Sequence, residues 1–234
     1  LDNINLNLNV TPSSHSSLHI PLASSSNAVS SNLLTFRKEE FDDSSDDIFF
    51  NTVEVKKRNE KSNISVNLTA NANQLADVYI EINKERGDIL HGNGDGVINI
   101  NVNPSKDQFT LLGNYTINEG DYKFVFDNMA IASRTFKLKQ GGRINFNGGV
   151  NDINLDLEAE YNTKAAVNTL ISDTTGIASR RPVNCGIGIR GSLSNPNIKV
   201  RIDIPDLDPA TKVRVESALN TEGKVQKQFA ALLI

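Results

Sequence analysis

From Asn3 to Val10 the chain alternates asparagine with Ile4, Leu6, Leu8 and Val10. A period of two puts the four aliphatic side chains on one side of an extended strand and the asparagines on the other, whereas a helix would scatter both sets around its axis. Asparagine is a poor strand former, so the pattern expresses a need for two opposed faces. The pattern recurs. NINLNLNVTP at Asn3–Pro12 is echoed by NISVNLTANA at Asn63–Ala72 and by VININVNPS at Val97–Ser105. Each copy runs into a polar turn, and alternation resumes in LHIPL, DVYIEI and LLGNYTI. The reading is a repeated hairpin or meander unit with degenerate copies and uneven spacing.

From Gly113 the alternation becomes dense. Tyr115 and Ile117 precede a predicted turn at NEGD; Tyr122, Phe124 and Phe126 follow, then Phe136 and Leu138. KQGG gives way to Ile144 and Phe146, NGGVND to Leu155, Leu157, Ala159 and Tyr161, and SLSNP to Ile198, Val200 and Ile202. A Thr/Ser-rich connector, Thr169–Ser179, leads into Val183–Ile189. Turns rich in Gly, Asn and Asp at such intervals suit antiparallel strands. Two segments break the pattern. Arg37–Ser62 is acidic and Ser-rich at first and basic at its end, and reads as an exposed loop. After Pro205 and Pro209 the periodicity turns helical: Val213, Val215 and Leu219 form one candidate face, and Val225, Phe229, Leu232 and Leu233 another, divided at Gly223. The expectation is an all-β chain that ends in one or two short amphipathic helices.

Composition narrows the function more than the fold. Hydrophobic residues make up 38%, aromatics 6%, tryptophan is absent and the mean hydropathy is -0.33, which suits a thin core spread along many strands. A net charge of -4 and a pI near 5.4 exclude a general nucleic-acid binder, which needs a basic footprint to release counterions. The single cysteine, Cys185, excludes a disulfide framework and a cysteine-based zinc site. No apolar run of about 18 residues offers a membrane-spanning helix, and no signal peptide is visible. The chain opens inside a strand pattern and stops inside an apolar run, and so reads as a segment of a longer protein.

Candidate chemistry is sparse. His15 and His19 lie in a Ser-rich turn beside Ser14, Ser16 and Ser17, with no G-x-S-x-G elbow to support a hydrolase. HGNGDG at His91–Gly96 matches half of a calcium loop through Asn93, Asp95 and Gly96, but His91 stands where a calcium loop has aspartate and Val102 where it has glutamate. It reads as a turn between strands. GIGIRG at Gly186–Gly191 fits G-x-G-x-x-G on paper, yet Ile187 and Ile189 continue a strand alternation and no helix follows to hold a pyrophosphate. The sequons at Asn63, Asn67 and Asn114 are expected by chance in an Asn-rich chain. Asp156 and Glu158 read as acids on a wet strand face. No catalytic constellation or cofactor site emerges, so the expectation is a protein without enzymatic activity.

Strands with two unlike faces must bury the dry one. A closed barrel, a two-sheet sandwich, and a long sheet curled into a trough each achieve this. Strands of about 6–8 residues span roughly 20–26 Å, wide enough for a curled sheet to enclose an acyl chain.

Over Gly113–Tyr161 the sequence resembles the C-terminal domain of the TamB family. Gly113, Tyr115, Ile117, Gly120 and Tyr122 match a G-x-Y-x-I-x-x-G-x-Y strand pair. Phe136, Leu138, Gly141, Gly142, Ile144, Phe146 and Gly148 match the next strand pair, and Leu155, Leu157, Ala159 and Tyr161 the one after. Gly191, Leu193, Pro196 and Ile198 resemble a G-x-L-x-x-P-x-I pair, the glycine-rich Gly87–Gly96 resembles the segment upstream, and Gln228–Leu233 resembles the family's closing Q-x-x-x-L-L. The resemblance is strong over Gly87–Ile234 and weaker over Leu1–Phe36. Arg37–Ser62 departs from it and reads as an insertion or variable loop.

The resemblance implies an all-β fold: a curled, antiparallel-rich sheet (a β-taco or half-pipe) with an apolar inner groove. It implies four segments: 1–36 as a preceding repeat of the same sheet, 37–62 as the variable loop, 63–208 as the TamB-like unit and 209–234 as the helical tail. It implies a periplasmic location in a Gram-negative bacterium, with an inner-membrane anchor upstream, and a TamA-type outer-membrane barrel as partner. The implied cargo is phospholipid or outer-membrane protein segments. The groove wall would be Tyr122, Phe124, Phe126, Phe136, Leu138, Ile144, Phe146, Leu155, Leu157, Ile187, Ile189, Ile198 and Val200. The alternative is a packed structural or adhesive β-domain with no groove.

Overall fold

A computed structural model describes residues 4–14, 16–20, 64–83, 87–106, 108–125, 133–149, 152–170 and 180–233. The loop expected at 37–62, His15 and Phe126 lie outside the described residues. Eleven strands form a single sheet: β1 (Ile4–Val10), β2 (Ser16–Ile20), β3 (Ile64–Ala72), β4 (Ala76–Asn83), β5 (Asp88–Asn103), β6 (Gln108–Val125), β7 (Ser133–Leu138), β8 (Arg143–Gly148), β9 (Ile153–Ala166), β10 (Arg180–Ser192) and β11 (Asn197–Asp203). Helices α1 (Val167–Leu170), α2 (Pro209–Ala218) and α3 (Glu222–Leu233) complete the described elements, with a single 3-10 turn at Pro104–Lys106.

The three sequence echoes become three neighbouring strands, in the order β1–β3–β5. The third copy forms the expected hairpin, β5 turning back antiparallel into β6 with Asn103 opposite Gln108, whereas neither β1 nor β3 pairs with the strand that follows it. β1 runs parallel to β3, with Ile4 opposite Ile64, Leu6 opposite Val66, Asn7 opposite Asn67 and Leu8 opposite Leu68. β2 likewise runs parallel to β4. The two halves of the long β5 pair antiparallel with β4 and β3 in turn. Parallel pairing in register sets like on like, and this resolves the asparagines. Asn67 Nδ2 donates to Asn7 Oδ1 at 2.9 Å and Asn71 Nδ2 to Asn9 Oδ1 at 2.6 Å. Further along the same face Thr69 Oγ1 donates to Asn99 Oδ1 at 3.0 Å, and Asn101 Nδ2 to Thr110 Oγ1 at 3.2 Å. The wet face is a hydrogen-bonded ladder of amides and hydroxyls of the kind that stacked strands favour.

Two expected turns are strand interiors. HGNGDG lies within β5 and NEGD within β6, and the two strands pair past a bulge at Asn93/Gly94. Here the glycines serve close approach: a Cβ on Gly94 would collide with the carbonyl of Thr116, and one on Gly96 with that of Asn114. KQGG does turn, with Gly141 at a φ of 87° that suits glycine. The turn is fastened where Gly141 N–H donates to Ile117 O at 2.9 Å and Ile117 N–H to Gly142 O at 2.8 Å. SLSNP separates β10 from β11 as expected.

Across the pairings the buried apolar residues share one side. Leu68 faces Ile100, Ile100 faces Leu111, Ile144 faces Leu155, Leu157 faces Ile189 and Ile189 faces Ile198. That face carries one continuous buried cluster from Val78 to Leu233. Two short C-terminal helices are too small to cover so many strands, so the sheet curls and covers itself. α2 starts at Asp208, whose carboxylate accepts the Thr211 N–H at 2.9 Å, with Pro209 at the first helical position. α2 buries only Val215, and Val213 stands 61% exposed. The expected shared face fails because residues two apart on a helix point nearly opposite ways. α3 has the clearer apolar side, burying Phe229 and Leu233, and packs against β11.

Candidate functional site

The described residues among those expected to line the groove share the apolar face of the sheet. Register places Tyr122 beside Phe136, Ile144 beside Leu155, Leu157 beside Ile189, and Ile187 beside Val200. Tyr122, Phe136, Ile144, Ile187 and Ile189 are fully shielded from water. Phe124, Leu138, Phe146, Leu155 and Leu157 are buried, and Ile198 and Val200 are half-buried. Phe126 lies outside the described residues.

The aromatic residues are packed edge to edge and face to face. Phe124 meets Phe136 in a T-shape at 6.1 Å, Tyr122 lies 5.9 Å from Phe124, and Phe136 lies 5.6 Å from Tyr161. The last partner comes from the tail: Phe229 of α3 stacks on Phe136 at 5.9 Å with planes 13° apart, and is itself fully buried. α3 therefore closes the curl over its C-terminal half. Buried residues of the same face that the sequence reading left out of that set include Ile80, Leu90, Ile100, Leu111 and Tyr115. Their alternation was legible on the upstream strands and would have found them. For Phe229 the helical periodicity marked an apolar face but not the strand that it packs against.

The same face is open at its other end. Ile4, Leu6, Leu8 and Val10 are 52%, 43%, 48% and 44% exposed, although their strand continues the row that is buried from β5 onward. β1 pairs only with β3 among the described strands and forms one edge of the sheet. The curl thus offers a dry row that is accessible at β1 and sealed at α3.

Polar atoms on or near this face are few. Asp88 is buried, its carboxylate accepting the Val125 N–H at 2.9 Å and the Tyr122 hydroxyl at 3.4 Å. The buried Tyr115 hydroxyl has no hydrogen-bond partner among the described residues, and burial, aided by Asp95 and Asp77, pushes its ionisation well above the ordinary range. Burial also pushes the Cys185 thiol up to about 11, which leaves it protonated and unreactive at neutral pH. Among the described residues no group of His, Cys, Asp and Glu side chains is arranged to hold a metal ion. Gly186–Gly191 lies inside β10, with no helix after it to receive a phosphate. His91 lies on the outer face between Asp77 and Asp121.

The outer face at the C-terminal end is ionic. Arg190 binds Asp156 at 2.9 Å and Glu158 at 3.2 Å, and Arg201 reaches Glu158 and Glu160, both at 3.3 Å. The acids that sequence reading placed on a wet strand face are the partners of these arginines.

No helix among the described residues is long and apolar enough to cross a membrane. A family model described as the TamB C-terminal domain matches residues 1–234, the whole chain. No curated protein matches it.

Proposed function

The chain belongs to the TamB C-terminal-domain family, and from that premise we propose that it is an envelope conduit or chaperone domain whose inner face carries apolar cargo toward the outer membrane. The family is a Gram-negative envelope family, a non-enzymatic bridge and assembly module that works with TamA in outer-membrane assembly. In this reading the domain sits in the periplasm and is anchored upstream in the inner membrane. Its barrel partner is of the TamA type, and its cargo is phospholipid or nascent outer-membrane strands. The described strands β1–β11 act as one sheet, with α2 and α3 as its cap.

The observation that carries this reading is the continuous apolar row from β1 to β11, exposed at Ile4–Val10 and closed by Phe229. Cargo enters where the row is wet. It reaches Tyr122, Phe136 or Ile144 only when α3 shifts, because those side chains are sealed.

Complete burial of Phe136, Ile144 and Ile187 favours a second reading, the packed structural β-domain without a groove. Photo-crosslinking in living cells separates the two. A benzoylphenylalanine probe at Leu6 or Leu8 is expected to capture phospholipid or an outer-membrane protein, one at Phe146 to capture less, and one at Asn7, on the opposite face, to capture neither. Equal labelling at Leu8 and Asn7, or none at any inner position, favours the packed domain. The mass of the adduct identifies the cargo.

A further inference from the structure

We propose that His91 is a proton-operated staple that ties β4 to β6 across β5, tightening the β2–β4 edge of the sheet when protonated and loosening it when neutral. This rests on side-chain geometry at the outer face and is independent of cargo.

The His91 ring lies between two carboxylates. Its Nδ1 is 3.0 Å from Asp121 Oδ2, and its Nε2 is 3.3 Å from Asp77 Oδ1. A carboxylate only accepts hydrogen bonds, and a neutral imidazole has a single N–H. Both contacts exist together only when the group of three carries one additional proton, placed most simply on the imidazole. Loss of that proton turns one contact into two facing lone pairs, and that strand is released. The three side chains are 34%, 49% and 41% exposed for His91, Asp77 and Asp121, so the group is within reach of solvent.

The ring also belongs to a stack that extends the staple outward. Tyr79 of β4 lies 4.4 Å from His91 with planes 19° apart, and His19 of β2 lies 4.5 Å from Tyr79 at 4°. Three strands are thus bridged by three rings, and a protonated His91 adds cation–π attraction to the Tyr79 contact. The backbone needs such a fastening here. Gly92 and Gly94 lack side chains to pair across, β5 meets β6 through a bulge at Asn93/Gly94, and β4 meets β5 through an irregularity at Glu81/Asn83.

The charged and titratable neighbours on this face are known from the register. β4 contributes Glu81 beyond Asp77 and Tyr79, and β2 contributes His19. β6 contributes Glu119 and Lys123 on either side of Asp121, and Lys137 of β7 lies opposite Asp121. Glu119 accepts from Asn93 at 3.3 Å, and among the described residues the His91 ring bonds only Asp77 and Asp121. His19 is the other histidine among the described residues.

Hydrogen exchange of the whole protein, corrected for intrinsic rates, tests the staple. From pH 5 to pH 8 the amides of Ala76–Ile80 are expected to lose roughly two- to fivefold in protection, the size of a half-exposed ion pair, while amides of β9 and β10 stay constant. His91→Phe keeps a ring on Tyr79 and should show the low protection at both pH values; His19→Gln should keep the pH dependence. In nitrogen-detected NMR of the unmutated protein at pH 5, both His91 ring N–H protons should be visible and protected. Protection of β4 that is the same at pH 5 and 8, persistence of the change in His91→Phe, or ring protons that exchange as fast as those of a free imidazole each overturn the proposal.

Discussion

The two ends of the sheet use the same alternation to opposite effect. In β1 the aliphatic residues are 43–52% exposed, whereas in β10 Ile187 and Ile189 have no contact with water. The outer faces differ as well: neutral amides bond across β1 and β3, while Arg190 and Arg201 bind acids across β9–β11. Another edge strand, β11, carries Lys199, Arg201 and Asp203 outward and has α3 packed on it, the usual protections of an exposed edge. β1 has no charge and no described cover. Periodicity therefore decides which side of a strand is apolar. It does not decide whether that side is dry, which depends on how far the sheet curls and on what lies across the opening.

The contrast is sharpest in core truncation. Phe136→Ala is expected to cost about 3–5 kcal/mol, since it leaves a cavity among Phe124, Tyr161 and Phe229. Leu8→Ala, on the same face at the open end, should cost about 1 kcal/mol or less. Urea denaturation midpoints at unchanged slope measure both, and equal costs would break the distinction between a sealed and an open end. On the outer face, Asn67→Ala removes the bond to Asn7 and should cost about 0.5–1 kcal/mol. A null effect would mean that the amide ladder merely tolerates water.

The smallest effect is at the cap of α2. The Thr211 hydrogen bond holds the Asp208 carboxyl below its ordinary range. A depressed folded-state value means that the contribution is complete above the unfolded carboxyl range and is lost as pH falls through the folded value. Helical ellipticity should thus decline slightly below about pH 4 in the unmutated protein. Asp208→Asn, which still accepts from Thr211, should abolish that decline, and an unchanged acid profile in this variant would remove the cap from the account.

Much of the fold was legible in the residues. Strand type, face assignment from Tyr122 to Val200 and the turns at KQGG and SLSNP follow from period two and from glycine. What escaped was non-local. The parallel match of β1 to β3 spans some sixty positions and competes with a local hairpin that the same residues allow. Gly92, Gly94 and Gly96 read as a turn, although their service is to let β6 approach. Val213 and Val215 read as one face through proximity alone. The buried apolar face was legible where aromatic residues marked it; Phe229, which stacks on Phe136 there, was visible only as part of an amphipathic tail.

The in-register match of β1 to β3 has a consequence for growth by duplication. A strand satisfied by a near-copy of itself presents to its far side the same requirement that it has just met. Each added copy advances such a sheet by about 4.8 Å and needs no newly invented complement. Length then becomes a matter of copy number, so a lineage built on this rule can change its reach by recombination between repeats while the sealed end remains as it was.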